Sequence, residues 1–335
     1  MILVTGSTGL LGSHLMYKLL SSGEKVRALK RKQSNIENIK KTFSYYYGDY
    51  EKLFKNIEWA EGDVLDIVSL EEAMEDVEYV YHCAGLVSFA PDDKEKLFKI
   101  NVKGTANIVN TALKYNIKKL CHVSSIASLG RDGTKKIITE KSVWNDSANN
   151  TNYAVSKYNG ELEVWRGIQE GLKAVIVNPS IILGAGNWDK GSSQLFLSIY
   201  KGQKYYLEGA NSYVDVKDLV NIMHLLMKSD IENERFIISS ENVSYYDLFN
   251  MIAKSLGKKT HFRKANFFIA ELAWRIEKLK CKITNSQPLI TKETIRTAKG
   301  SHYYSNEKIK KALDYNFIPI NKSVEDICKI LLKDK

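Results

Sequence analysis

Proline and cysteine are scarce in this chain, at four residues each among 335, and both shortages exclude something. The cysteines, Cys83, Cys121, Cys281 and Cys328, are widely spaced and form no CxxC pair. Two of them lie in apolar strand-like runs, where a free thiol packs as a small hydrophobe. A reducing cytoplasm is the expected setting, and no metal site is expected. With so few prolines, and no Pro/Gly-rich linker, repeat or low-complexity tract, no hinge is marked. No run approaches the roughly 18 apolar residues that would cross a bilayer. The opening Met1-Ile2-Leu3-Val4-Thr5 reads as a strand. It is not a basic head followed by an apolar stretch and a cleavage site, so no signal peptide is expected.

What is present fits an ordinary folded protein: 44% hydrophobic and 26% charged residues describe a globular chain rather than a fibre or a disordered one. Its length suits one large domain, or a domain with a smaller companion. The formal net charge of +10 signals a polyanion partner only where it is clustered. Here lysines are scattered, as in Lys40–Lys41, Lys118–Lys119 and Lys258–Lys259. A solvated lysine-rich surface is expected, with no nucleic-acid partner.

Up to about residue 184, short apolar runs alternate with helix-length stretches. Strands are expected at Ile2–Thr5, Lys25–Leu29, Ile57–Ala60, Tyr79–Cys83, Leu120–Ser124 and Ala174–Asn178, and helices at Leu10–Ser22, Lys96–Tyr115 and Asn152–Gln169. That order predicts an α/β fold, a doubly wound parallel sheet of Rossmann type covered on both faces. Ligands then bind outside the carboxyl ends of the strands. Residues 1–184, with a further strand at Glu234–Ser239 inside about 214–240, form the expected dinucleotide domain. Residues 185–213 and 241–335 form a smaller, mainly helical substrate lobe, with helices expected at Tyr246–Leu256, Phe267–Leu279, Asn306–Leu313 and Val324–Leu332. The helix Phe267–Leu279 is amphipathic and suits a core-facing position better than a membrane surface.

The first strand runs into Thr5-Gly6-Ser7-Thr8-Gly9-Leu10-Leu11-Gly12 and then a helix. Glycines let the backbone approach a pyrophosphate, and the helix amino terminus offers free N–H groups to it. The second strand ends in Lys30-Arg31-Lys32 with no acid. A carboxylate there would select NAD, whereas bases meet a 2′-phosphate, so NADP(H) is favoured over NAD(H). Asp63, followed by Val64 just after the third strand, suits either the adenine edge or a helix cap.

Tyr153-Ala154-Val155-Ser156-Lys157 puts a phenol and an ammonium at i and i+4, on one helical face. A phenol normally titrates near 10, and a fixed cation beside it favours phenolate. Spacing alone does not choose this pair, since Tyr115/Lys119, Tyr200/Lys204, Tyr213/Lys217 and Tyr304/Lys308 share it. Position does, because only Tyr153 opens a long helix following the strand that ends in Val123-Ser124-Ser125. The expected roles are orientation of a carbonyl oxygen by Ser125, proton donation by Tyr153, and support of both phenol and ribose by Lys157.

The loop TGSTGLLG, the strand end His82-Cys83-Ala84-Gly85, Ile100-Asn101-Val102-Lys103-Gly104-Thr105, VSS and YAVSK occur in this order. The chain thereby resembles the extended short-chain dehydrogenase/reductases, also called the NAD-dependent epimerase/dehydratase family, over residues 1 to about 240. Tyr213-Val214-Asp215-Val216-Lys217-Asp218-Leu219-Val220 is similar to the family's hVxDlv stretch. The resemblance implies that Ser125 rather than Ser124 is the triad serine, with Ser124, Ala84 and Gly85 near the cofactor. It further implies that Pro179, Ser180 and Ile181 touch the nicotinamide carboxamide and that Asn101 stands behind Lys157. Many relatives pair as homodimers through two long helices.

The VRALKR wording resembles the dihydroflavonol reductase-like branch, NADPH-dependent reductases of ketones or aldehydes. Gly130 stands where the plant flavonoid enzymes carry a substrate-binding asparagine, which leaves a flavonoid substrate unsupported. Alternatives are a nucleotide-sugar epimerase or dehydratase, against which stand Lys30–Lys32, Ile126 and Ala127, and a 3β-hydroxysteroid dehydrogenase-like enzyme. For the last, Phe267, Phe268, Trp274, Tyr205 and Tyr206 would line an apolar pocket. Outside the enzymes stands an NADP(H)-sensing scaffold, which would not need all three triad residues.

Overall fold

The strand-forming runs are rich in Val, Ile and Leu and close on glycine or polar turns, while the intervening helices carry one apolar face. The computed structural model describes residues 1–46, 48–130, 137–147, 150–265 and 300–335. Seven strands form one sheet in the spatial order Glu234–Ile238, Ala174–Pro179, Lys119–Val123, Tyr79–His82, Ile2–Thr5, Val26–Lys30 and Glu58–Glu61. All six pairings are parallel. Ala174–Pro179 is buried at every position, as a strand covered on both faces requires. The strand order reverses between Ile2–Thr5 and Tyr79–His82, and at that point a crevice opens beyond the carboxyl ends.

One face of the sheet packs on Leu15, Met16, Leu19, Leu219 and Met223, and the other on Leu70, Ile108, Val109 and Val164. A separate core forms around Trp188, Phe196, Phe249 and Val324. It is floored by a second sheet in which Ala210–Asp215 pairs antiparallel with Glu241–Ser244 and parallel with Ile181–Leu183. The two bodies of apolar packing are tied together by the carboxylate of Asp334. It accepts from Tyr45 and from the Trp188 indole at 2.9 and 2.7 Å and pairs with Lys41 at 3.0 Å.

Two expected elements come out differently. The single helix Lys96–Tyr115 is instead Lys94–Phe98, a π-turn at Lys99–Lys103 and Gly104–Lys114. The wider turn accompanies the inward placement of Asn101, whose amide is spent on another segment. The last helix starts earlier than its apolar pattern, at Ile320, because Pro319 caps it without a backbone donor that the helix would need. The expected helix Phe267–Leu279, with Phe267, Phe268 and Trp274, lies outside the described residues. Among the described residues no helix is long and apolar enough to cross a membrane, and no cluster of side chains suits a metal ion.

Candidate active site

The glycine turn is built by close backbone approach. Gly6 stands at φ +66°, and a Cβ there would lie 2.5 Å from the Ala84 nitrogen. A Cβ on Gly12 would lie 2.2 Å from the Gly6 carbonyl oxygen. Both positions therefore exclude any larger residue. The helix Leu10–Ser21 has no side-chain cap at Gly9, so the amides of Leu10, Leu11 and Gly12 face the crevice with the positive end of the helix dipole. Ser7, grouped with the binding residues by its place in the loop, donates its hydroxyl to the Leu29 carbonyl at 2.8 Å. It ties the turn to the second strand, and Thr8 stays half-buried beside it.

Lys30 ends the second strand opposite Glu61, followed by exposed Arg31 and Lys32. Arg27 is committed elsewhere, to Glu58 and to the carbonyls of Ala73 and Glu75. Asp63 accepts from the Leu65 amide at 3.0 Å through Oδ1, and Asp66 rather than Asp63 caps the next helix. Val64 is buried against Gly104.

At the carboxyl end of the fifth strand the chain stays extended at Ser125 and turns into Ile126–Ser128. The Ser125 Oγ accepts from the Ala127 amide at 3.1 Å and lies near enough to the Tyr153 phenol to draw its pKa down. Tyr153 sits in the first turn of the helix Asn152–Gln169, which Thr151 caps at 3.0 Å. Phe89 meets its ring edge-on at 5.6 Å. One turn on, the buried Lys157 ammonium donates to the Val123 carbonyl at 2.7 Å. Gly85 closes the gap, since a Cβ there would lie 3.7 Å from Lys157 Nζ and 3.3 Å from Asn101 Oδ1.

Electrostatics here are governed by burial. Desolvation holds Lys157 down to about 8, opposed by the charge of Glu161. Burial pushes the Tyr153 phenol up, and the neighbouring Ser125 works against that rise. The i,i+4 spacing leads one to expect Lys157 to supply the downward pull. In the structure Ser125 supplies it, because the ammonium is turned to Val123.

Asn101 is committed on all sides. Its Oδ1 accepts from the Leu86 amide at 2.7 Å, and its Nδ2 donates to the Leu86 carbonyl at 3.0 Å and to Ser156 at 2.9 Å. It shapes the wall bearing Gly85. At the far side, Pro179 ends its strand, the Ser180 amide bonds to the Ile238 carbonyl at 3.0 Å, and Ile181 is half-buried. The Ser180 hydroxyl is buried without a partner among the described residues. Ser124 does not face the crevice: its hydroxyl donates to Glu161 at 2.6 Å. Glu161, which lies with Asn178 behind the serine turn, is not legible in the sequence as a site residue. A carboxylate on a helix reads as solvated, and only its i+4 distance from Lys157 hints otherwise.

The turn closed to side chains at Gly6 and Gly12, the uncapped amides and the orphaned Ser180 hydroxyl all suit a dinucleotide. A doubly wound parallel sheet with such a turn at its carboxyl edge defines a dinucleotide-binding fold. The profile described as the NAD dependent epimerase/dehydratase family matches residues 2–239. The chain belongs to that family, among the extended short-chain dehydrogenase/reductases, and is an NAD(P)-dependent enzyme of carbonyl and alcohol groups.

Its relatives include a putative dihydroflavonol 4-reductase of Synechocystis, 27% identical over 96% of this chain and 92% of the relative. Sterol demethylase protein B of Methylococcus capsulatus is 30% identical over 76% of this chain and 74% of that protein. Among solved structures, gox2253 superposes with a TM-score of 0.81 at 29% identity, covering 99% of this chain and 98% of that one.

Proposed function

We propose that the chain is a cytoplasmic NADPH-dependent carbonyl reductase acting on a small or mid-sized organic ketone or aldehyde. The observation that carries the reading is the neighbouring pair of Ser125 and Tyr153, with Lys157 one turn beyond and held at the Val123 carbonyl, at the carboxyl edge of the sheet. When bound, the reduced dinucleotide supplies a hydride to the carbonyl carbon. Ser125 then holds the carbonyl oxygen, and Tyr153 gives that oxygen its phenolic proton. The product is an alcohol, and the phenol regains its proton from solvent. Lys157, one turn along the same helical face, would stabilise the transient phenolate once its ammonium leaves the Val123 carbonyl. The amides of Leu10, Leu11 and Gly12 would hold the pyrophosphate, and Lys30 and Arg31 the 2′-phosphate.

Gly130 argues against a flavonoid substrate on steric grounds. A Cβ at that position would lie 1.5 Å from the Val143 carbonyl oxygen, so no side chain fits there to contact a polyphenol. The test is oxidation of NADPH and NADH with cinnamaldehyde, acetophenone and 2,3-butanedione, with UDP-glucose as the sugar-nucleotide control. Reduction of a carbonyl that drops at least about 10²-fold in Tyr153→Phe is expected. Conversion of UDP-glucose without net cofactor consumption, or turnover indifferent to Tyr153→Phe, would overturn the proposal.

A further inference from the structure

A densely hydrogen-bonded carboxylate stands directly behind the serine turn, and the proposed proton chemistry makes no use of it. Glu161 lies one turn beyond Lys157 and is 2% exposed. Its Oε2 accepts from Ser124 at 2.6 Å, Ser128 at 2.7 Å and the Asn178 amide at 2.8 Å. Its Oε1 accepts from Arg235 at 3.0 Å and the Trp165 indole at 3.3 Å. A buried carboxylate is tolerated only where its oxygens find hydrogen-bond donors, as both of these do. Arg235 is itself anchored, donating through Nε to the Glu140 carbonyl at 3.0 Å.

Two of these donors also reach the catalytic serine. Asn178 Nδ2 lies 3.1 Å from the Ser125 carbonyl, and the Ser128 hydroxyl 2.8 Å from it. A serine has one hydroxyl proton and serves one acceptor at a time. The Asn178 amide has two, and stands between Glu161, the Ser125 carbonyl and the Ser128 hydroxyl at 2.8, 3.1 and 2.9 Å, so that it bridges Glu161 to the serine turn. Lys157 grips the same segment two residues earlier, at Val123. Two side chains one helical turn apart thus hold the strand end from a single rigid helix.

We propose that Glu161 is a positioning residue for the reaction: through Asn178 and Ser128 it holds the Ser125 hydroxyl within reach of Tyr153. This rests on the reductase reading above. Gln at 161 must present its oxygen to Arg235 and Trp165, which cannot accept a hydrogen bond. Its NH₂ then faces Asn178, whose amide has to flip. The flip turns Asn178 Oδ1, now without a partner among the described residues, toward the Ser125 carbonyl, and the turn is pushed away.

The charge of Glu161 also reaches Lys157, which faces Cys83, His82 and His122 on the strands beneath it as well. Only Glu161 and Cys83 favour the ammonium there. Removing the carboxylate therefore moves the loss of the Lys157 proton to lower pH.

The experiment compares wild type, Glu161→Gln, Ser128→Ala and Tyr153→Phe in crystal structures and in NADPH oxidation with whichever carbonyl the wild type reduces. In Glu161→Gln the Ser125 hydroxyl is expected to move away from the Tyr153 phenol. Its kcat should fall about 10²-fold, as a displacement of an ångström can cause, with the alkaline limb shifted to lower pH and NADPH affinity retained. Ser128→Ala, which spares the ion pair, should fold normally and lose rate without moving that limb. An intact Ser125–Tyr153 contact in Glu161→Gln, or unchanged kcat and pH profile, would reject the inference. Activity surviving Tyr153→Phe would reject instead the reductase reading on which it stands.

Discussion

Lys157 shows what a residue proposed for the reaction costs its own fold. Its ammonium is buried and held down to about 8 from the ordinary lysine value of 10.5, so keeping it charged at pH 7 costs about 3 kcal/mol. Because the folded value lies below the unfolded one, that penalty is fully present below pH 8 and is relieved as pH rises toward 10.5. Lys157→Met is accordingly expected to hold or raise the melting temperature at pH 7 while NADPH oxidation falls at least about 10²-fold. A variant both inactive and clearly less stable would contradict this. Arg31 raises the question of cofactor choice at the same scale. A lost charge-assisted contact to phosphate is worth about 1.5–3 kcal/mol. Arg31→Glu should therefore raise the KM for NADPH at least about 10-fold, and that for NADH far less. Equal effects on both cofactors would remove Arg31 from the site.

Among the elements, the pairing of Asn152–Gln169 with the π-turn Lys99–Lys103 decides the shape of the crevice. Gly160 is what permits the approach, since a Cβ there would lie 2.3 Å from the Asn101 carbonyl oxygen. Asn101 in turn holds Leu86 through its backbone, and Gly85 with it. Overpacking of such a contact costs about 1–3 kcal/mol. Gly160→Ala should lower the free energy of chemical unfolding by that amount and weaken NADPH binding in a fluorescence titration. Loss of stability with binding intact would detach the contact from the site. The helix itself was legible to the residue, as Asn152–Gln169, a helix-length stretch between two strands with the 3.6-residue period of an α-helix. The π-turn was not, since one inserted residue leaves that period almost unchanged and declares itself only through what Asn101 touches.

At the scale of the whole molecule, burial of histidine sets the response to acid. His14, His82 and His122 are all enclosed and held neutral by desolvation, the first two near 4 and 3. His82 is wedged between Thr5 at 2.8 Å and Thr105 at 3.1 Å. Neither ring nitrogen of His122 has a hydrogen-bond partner among the described residues. The unfolded chain takes up these protons near 6.5 and the native one does not, so stability is lost as pH falls from 6.5 toward 4. Asp218, raised to about 6 by burial, acts in the opposite sense but is outnumbered. Thermal unfolding between pH 7.5 and 4.5 should show a steep decline in the wild type and a shallower one in His122→Leu. Parallel curves would mean that His122 is not kept neutral by the fold.

The amino-acid order by itself determined the sheet, the glycine turn, the helix of Tyr153 and Lys157, and the basic end of the second strand. These are local matters of period, of glycine at a positive φ and of charge at the end of one run. The reversal of strand order, the use of Ser7 and Asn101 as struts, and the burial that moves Lys157 and Tyr153 were decided only by tertiary structure. So was the enclosure of Glu161. Each depends on segments tens of residues apart meeting in a low-dielectric interior, where a carboxylate or an imidazole is priced by its neighbours rather than by its place in the chain.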